Sequence, residues 1–377
     1  MVSGRVLARP SKRVRTPYVA DVQLLDGTDS VVQAHSPSLG CAGMVSPGRI
    51  VEMTEVAATS STSSSSSAKK TPPRKTSHSV CLCHDAPRVG GLGGMQGPVV
   101  GALPALAENF VLKALEEGWF AEFAPGYTVT KQKTYGGSRV DFVLNYEGEG
   151  EKKEEKNKQD AAKSDVTQGA TSPRKTLIEV KNVVCADYLP GENPISTGME
   201  GELEPRLASC LQDTQTGALL RAAVFPHGGT RKPKIKVLSS RAIKHVHELT
   251  QLHLSRRLGE ENLDSAMIFV VNRSDCERFR PAHESCPLFA RVLYEASLAG
   301  VRLLAYTVDW DLASGCAYLG HRIPVEFSAE TKATPLDRVW LDQVLVYEAG
   351  PKPDSLGTKS SDKKHKKKHK KRSRRHD

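Results

Sequence analysis

Two short apolar runs each carry a charge where a strand would bury its side chains, and this limits the folds open to the chain. Arg139-Val140-Asp141-Phe142-Val143-Leu144 and Thr176-Leu177-Ile178-Glu179-Val180-Lys181 have the β-branched and aromatic content of strands. A carboxylate buried there without a partner is costly. Two carboxylates and a lysine on neighbouring strands satisfy one another around a metal ion. Mg2+ is typically held by one or two protein carboxylates, with water and substrate phosphate completing an octahedron. The pattern points to phosphodiester chemistry, or to a fold descended from it. The plainer alternative is two ordinary strand-end charges, since a Glu-x-Lys pair is short enough to arise by chance. The turn Gly136-Gly137-Ser138-Arg139 leading into Asp141 adds weight to the first reading.

The chain has 377 residues, room for two domains, and a formal net charge of +10. That charge is not spread evenly. The last 17 residues hold seven Lys and three Arg against two Asp, so the body is close to neutral. The overall basicity therefore says little about what the folded part binds. The tail from residue 351, with its Lys-Lys-His-Lys-Lys-Lys-His run, cannot pack and reads as disordered. It fits any polyanion and resembles a nuclear localisation signal, so a nuclear setting is expected. The basic, acid-poor N-terminus (Arg5, Arg9, Lys12, Arg13, Arg15) leaves a mitochondrial or other organellar address as the alternative, although a first strand is preferred there. The eight cysteines are scattered, as in a reduced intracellular protein. Cys81-x-Cys83-His84 is half of a zinc pattern without its second half. No apolar stretch reaches the ~18 residues of a membrane span, and no small-molecule cofactor motif is evident.

Residues 1–102 read as a small β domain. Its strands fall over 19–25, 30–35, 48–53 and 79–84, with Asp26-Gly27 as a hairpin turn and a Ser-rich disordered insertion over about 57–73. Residues 103–350 form the second domain. An amphipathic helix runs from Leu103 towards Gly118, on Leu106, Phe110, Val111, Ala114 and Leu115. Strands follow over 127–133, 139–145 and 176–184, then a helix over 239–258, a strand over 265–271, a helix over 287–299 and a strand over 301–308. Polar insertions occupy about 147–174 and 190–236. The order αβββαβαβ is that of a mixed α/β sheet.

Several segments in this order resemble the sugar fermentation stimulation protein A (SfsA) family. They are Lys12-Arg13-Val14-Arg15, Ala20-Asp21-Val22, His35-Ser36-Pro37-Ser38-Leu39-Gly40, Gly137-Ser138-Arg139-Val140-Asp141-Phe142, Ile178-Glu179-Val180-Lys181-Asn182-Val183, Arg241-Ala242-Ile243-Lys244-His245-Val246-His247-Glu248-Leu249 and Phe279-Arg280-Pro281-Ala282. The resemblance implies an N-terminal OB-like β-barrel followed by a PD-(D/E)XK nuclease-like mixed sheet. It further implies Asp141 and Glu179 as Mg2+ ligands, the Val180 carbonyl as a third, and Lys181 as the catalytic lysine. The departures from the family pattern are Lys113, His227, Ser240 and Cys286, which stand at usually acidic positions and leave open either a single-metal site or a degraded one.

Arg241, Lys244 and His245 lie on one helix and suit phosphate contact, the alternative being a solvated basic face. His245 and His247 are two residues apart and cannot clamp one metal together. Arg13, Arg15 and Tyr18 suit a nucleic-acid surface on the barrel. Arg139 is read either as an ion-pair partner for Asp141 or as a further nucleic-acid contact. The expected function is DNA binding, with Mg2+-dependent deoxyribonuclease activity as the alternative and a regulatory interaction role as a third class.

Overall fold

The computed structural model describes residues 1–36, 43–56, 76–85, 97–135, 138–146, 174–186, 211–212, 219–227, 232–255 and 263–350. The expected disorder at 57–73, through most of 147–174 and in the tail falls outside the described residues.

Strands β1 (Val2–Ala8), β2 (Val19–Leu24), β3 (Val31–His35), β4 (Ile50–Glu55), β5 (His78–His84) and β6 (Val99–Gly101) form the first unit. Their order is β3-β2-β1-β4-β5-β6, and β3 also pairs with β5, which closes a five-stranded barrel with β6 on its flank. The basic N-terminus opens with the central strand β1, which carries Arg5 and buries Val6 between β2 and β4, while Arg9, Lys12, Arg13 and Arg15 follow in the β1–β2 connection. Val22, Val51, Met53, Val80 and Cys83 fill the interior. Cys81 and Cys83, two apart on β5, are both buried, and His84 pairs with Glu52 at 3.1 Å. Asp21 of β2 is a strand carboxylate with a structural role. Burial acts to raise its pKa, but hydrogen bonds from Ser11 Oγ (2.6 Å), the Lys12 N–H (2.8 Å) and Gln33 outweigh it and hold the group below its ordinary value.

The second unit opens with α1 (Pro104–Glu116), whose Pro at the first turn suits a helix start. It continues through β7 (Tyr127–Tyr135), β8 (Ser138–Tyr146), β9 (Lys175–Val183) and β10 (Cys185–Ala186). Next come β11 (Leu211–Gln212), β12 (Leu219–Leu220), β13 (Ala222–Phe225), α2 (Ser240–Ser255), β14 (Leu263–Val271) and β15 (Arg278–Pro281). Last are α3 (Pro287–Ala299), β16 (Arg302–Asp311), β17 (Cys316–Ile323), α4 (Ala329–Ala333) and α5 (Arg338–Ala349). The main sheet runs β17-β16-β14-β9-β8-β7. Strands β9, β14 and β16 are parallel and carry the buried crossovers, while β8 and β7 form an antiparallel edge. Helix α3 ends at Gly300 with φ 104°, where an added Cβ would meet His253 Nε2 at 3.0 Å.

Alternate residues of β9 enter two different cores. Leu177 and Val183 pack with Ile243, Val246 and Leu293 of α2 and α3, whereas Ile178 and Val180 pack with Val111 and Leu115 of α1. A side-chain period of two therefore sets Glu179 and Lys181 on the α2 side.

Two expectations need correction. The segment 190–236 is not all insertion, because Ala222–Phe225 pairs with both β10 and β15 and Ile235 is buried. Its Ala-Ala-Val-Phe run is apolar enough to pack. The chain also continues beyond the expected last strand into β17, α4 and α5. Strand β17 is a largely exposed edge without apolar alternation. Helix α5 carries a readable start signal, Asp337, whose side chain accepts the Trp340 N–H at 2.8 Å.

The two units meet tightly. A Cβ on Gly101 would lie 2.8 Å from Trp310 and 2.9 Å from Asn272. The Gly101 N–H donates to the Asn272 carbonyl at 2.8 Å.

Candidate functional site

The β8–β9 ladder pairs Asn145 with Lys175 and continues to Phe142 opposite Ile178. One step further would place Asp141 across from Glu179. There the Asp141 side chain takes over: its Oδ2 accepts the Val180 N–H at 2.8 Å. Glu179 is 3% exposed. Lys181 Nζ donates to Glu179 Oε1 at 2.5 Å and to the Val180 carbonyl at 3.2 Å. The three residues that the sequence marked out thus share one place on adjacent strands.

Helix α2 supplies a fourth. His245 Nδ1 contacts Glu179 Oε1, and Arg241 Nε reaches His245 Nε2 at 3.3 Å. A carboxylate only accepts and a guanidinium only donates. Both bonds are satisfied together only if the imidazole carries its proton on Nδ1 and accepts on Nε2. Arg241 and Glu179 therefore select one neutral tautomer of His245.

The electrostatics are unequal. Burial pushes Asp141 up to about 6, and the neighbouring Glu179 charge adds to this. The Val180 N–H and Lys181 oppose the shift, while Glu108 of α1 reinforces it. Burial would raise Glu179 too, but Lys181 and His245 overcome it and hold that carboxylate below its ordinary value. Glu179 is thus ion-paired with Lys181, whereas Asp141 makes no ion pair among the described residues.

Glu108 was not anticipated. It lies on the helix whose expected acidic position was Lys113, but Lys113 is exposed and pairs with Glu117 at 2.5 Å. The other departures are also engaged elsewhere. Ser240 bonds to Lys232 and Glu348, and Cys286 is 1% exposed within the α2–α3 core. Burial lowers the His227 imidazole to about 4.

Lys244, one residue before His245, lies 3.6 Å from Glu248. Arg241 is exposed. Arg139 is exposed, and among the described residues it makes no ion pair with Asp141. Arg13 and Arg15 sit in the exposed β1–β2 loop of the barrel, on a different unit from Asp141, with Arg13 reaching Gln33 at 3.4 Å. Among the described residues no group of three or more His, Cys, Asp or Glu side chains stands ready to hold a metal. The available protein donors are two carboxylates and a backbone carbonyl, all oxygen.

A model of the sugar fermentation stimulation protein RE domain matches residues 237–314, from the approach to α2 to just past the end of β16. That span does not include Asp141 or Glu179. The sugar fermentation stimulation protein homolog of Maricaulis maris (strain MCS10) is 26% identical over 324 residues, covering 85% of this chain and 94% of the relative. The homolog of Thioalkalivibrio sulfidiphilus (strain HL-EbGR7) is 27% identical over 291 residues, covering 76% of this chain and 82% of the relative. The solved structure of Pyrococcus furiosus SfsA in complex with Ca2+ has the same fold, with a TM-score of 0.52 and 17% identity. It covers 86% of this chain and 96% of that one. With a barrel preceding a mixed sheet, and relatives matched across both, the chain is similar to the SfsA family over most of its length.

Proposed function

We propose that this chain is a DNA-binding protein whose Asp141–Glu179–Lys181 centre takes up a divalent cation and hydrolyses phosphodiester bonds. The observation that carries this reading is the placing of Asp141 and Glu179 together on adjacent strands, where burial, with the Glu179 charge beside it, drives Asp141 to about 6. Two carboxylates that repel each other, of which Glu179 is paired with Lys181 and Asp141 has no ion pair of its own among the described residues, suit a cation. An all-oxygen donor set with few protein ligands suits Mg2+ or Ca2+, whose remaining positions water and phosphate oxygens fill. The Ca2+ of the Pyrococcus relative supports the same class of ion. The resemblance of the strand Asp and the Glu-x-Lys to nuclease strands, together with the Lys/Arg-rich tail, supports DNA as the partner. The tail also supports nuclear import.

A bound divalent cation would lower the pKa of a coordinated water and offset charge developing on the phosphoryl group. The chain's own residues supply the rest. Asp141 and Glu179 would be the ligands, with Asp141 competent once deprotonated. His245 orients Glu179 through its Nδ1–H, and Arg241 fixes that tautomer. Lys181 Nζ sits beside the carboxylate pair, where it can donate to a phosphoryl oxygen. The test is nicking of supercoiled plasmid with Mg2+ or Mn2+ by wild type and Glu179→Gln. Loss of nicking in the variant is expected, and equal nicking by both overturns the catalytic reading.

A second reading has one observation in its favour. Glu179 is engaged from two sides, by Lys181 and by His245, as in a centre kept for binding. It predicts DNA affinity unchanged by EDTA, with no cleavage under any divalent ion.

A further inference from the structure

The β7–β8 hairpin breaks its own regularity at the level of Asp141. Its ladder pairs Thr130 with Val143, Lys131 with Phe142 and Lys133 with Val140, and passes over the step that would join Gln132 to Asp141. Gln132 has φ 56°, a left-handed conformation that a residue with a side chain seldom adopts inside a strand. The ribbon changes face at that step. Before it, Val129, Phe142 and Leu144 belong to the α1 core; beyond it, Tyr135 and Val140 pack against the α2–α3 core. The hairpin end therefore curls round the sheet edge, with Asp141 at the bend.

What the curl presents is basic. Thr130 to Thr134 and Arg139 are exposed, and no acidic residue occurs from Tyr127 to Val140. Lys131, Lys133 and Arg139 have no carboxylate partner among the described residues, and Lys133 Nζ lies 5.6 Å from the Tyr135 ring centroid. Lysines on an edge strand also discourage strand-to-strand association. That role does not account for a cation on the inner strand β8, nor for a bend placed at the site's own carboxylate.

We propose that this hairpin is a wing that grips the phosphate backbone of duplex DNA. Lys131, Lys133 and Arg139 neutralise phosphates beside the one brought to Asp141 and Glu179. The proposal rests on the DNA-binding reading above and deepens it by naming how the duplex is held against the site. Interactions of this kind position the nucleic acid without reading sequence. Removing one phosphate-neutralising side chain should flatten the dependence of log K on log salt by about 0.9.

The test is fluorescence anisotropy of a labelled duplex with the full-length chain and its Lys131→Gln/Lys133→Gln/Arg139→Gln variant, over about 50 to 200 mM salt. We expect a slope reduced by about 2 to 3, at least roughly tenfold weaker binding at the lower salt, and unchanged Ca2+ uptake by calorimetry. A Lys131→Arg/Lys133→Arg variant should keep the wild-type slope. A wild-type slope in the triple variant overturns the wing, and if that variant also aggregates, the lysines serve as edge protection. Should wild type bind while only Glu179→Gln loses the cation, and the triple variant matches wild type, the wing falls and the DNA-binding reading stands. Absence of DNA affinity in wild type overturns both.

Discussion

Two buried ionic clusters lie at neighbouring places in the second unit, and their chemistry diverges. One centres on Arg273, 1% exposed, just past β14. Its guanidinium holds Asp275 at 2.6 Å and Asp85 at 2.8 Å and donates to the Val184 carbonyl, while Arg221 also bonds Asp275. Two arginines face two aspartates. Burial acts to raise Asp275, yet Arg273 and Arg221 bring it down to about 2. The other cluster is Asp141, Glu179, Lys181 and His245, where Asp141 is driven up to about 6. A cluster in which each carboxylate meets an arginine locks structure, here tying Asp85 at the end of the barrel to the second unit. In the second cluster Asp141 has no ion pair among the described residues, a place that a ligand cation can fill. The lesson is that burial alone marks neither role; whether each buried carboxylate has its own cation does.

The comparison breaks most visibly at Arg273. Arg273→Met would leave Asp275 and Asp85 in place without their central cation. A destabilisation of about 3–5 kcal/mol is expected, read from urea denaturation at pH 7.5. Asp141→Asn should act in the opposite direction. The amide oxygen still accepts the Val180 N–H, and the repulsion with Glu179 disappears. The metal-free protein is expected to gain about 1–2 kcal/mol while losing any rise in Tm on adding Mg2+ or Ca2+.

The pH dependence sharpens the contrast because its sign differs between the clusters. Asp275 has a folded pKa of about 2, below the ordinary 3.8 of an aspartate. Its stabilisation is present above about pH 4 and is lost as pH falls towards 2. Asp141 has a folded pKa of about 6, above 3.8. Its contribution to the metal-free fold is present below about pH 4 and is lost as pH rises through 6. Since a ligand carboxylate must be deprotonated, divalent-cation affinity should fall about tenfold per unit below pH 6, which calorimetry between pH 5 and 7.5 can follow. The smallest effect belongs to Glu108→Gln. Removing that charge should move the onset of cation binding a few tenths of a unit lower in pH, with little change in affinity at pH 7.5.

Much of this was legible from the residues. Strands with β-branched runs, such as Lys175–Val183, and helices with apolar periodicity, such as Pro287–Ala299, announce themselves by pattern. Asp141, Glu179 and Lys181 stood out because charge interrupts those runs. Cys316–Ile323 did not, since an exposed edge strand needs no apolar alternation. Glu108 escaped notice because its link to Asp141 is made across the fold from a different element. The part His245 plays depends on where α2 crosses the sheet, which spacing along the chain does not encode. The bend at Gln132 had no Gly or Pro to signal it.

The most direct test is isothermal titration calorimetry of Mg2+ and Ca2+ into the wild-type chain and Asp141→Asn at pH 7.5. The account predicts one ion per wild-type chain and no binding to the variant. No heat from wild type, or the same isotherm from both proteins, would contradict it.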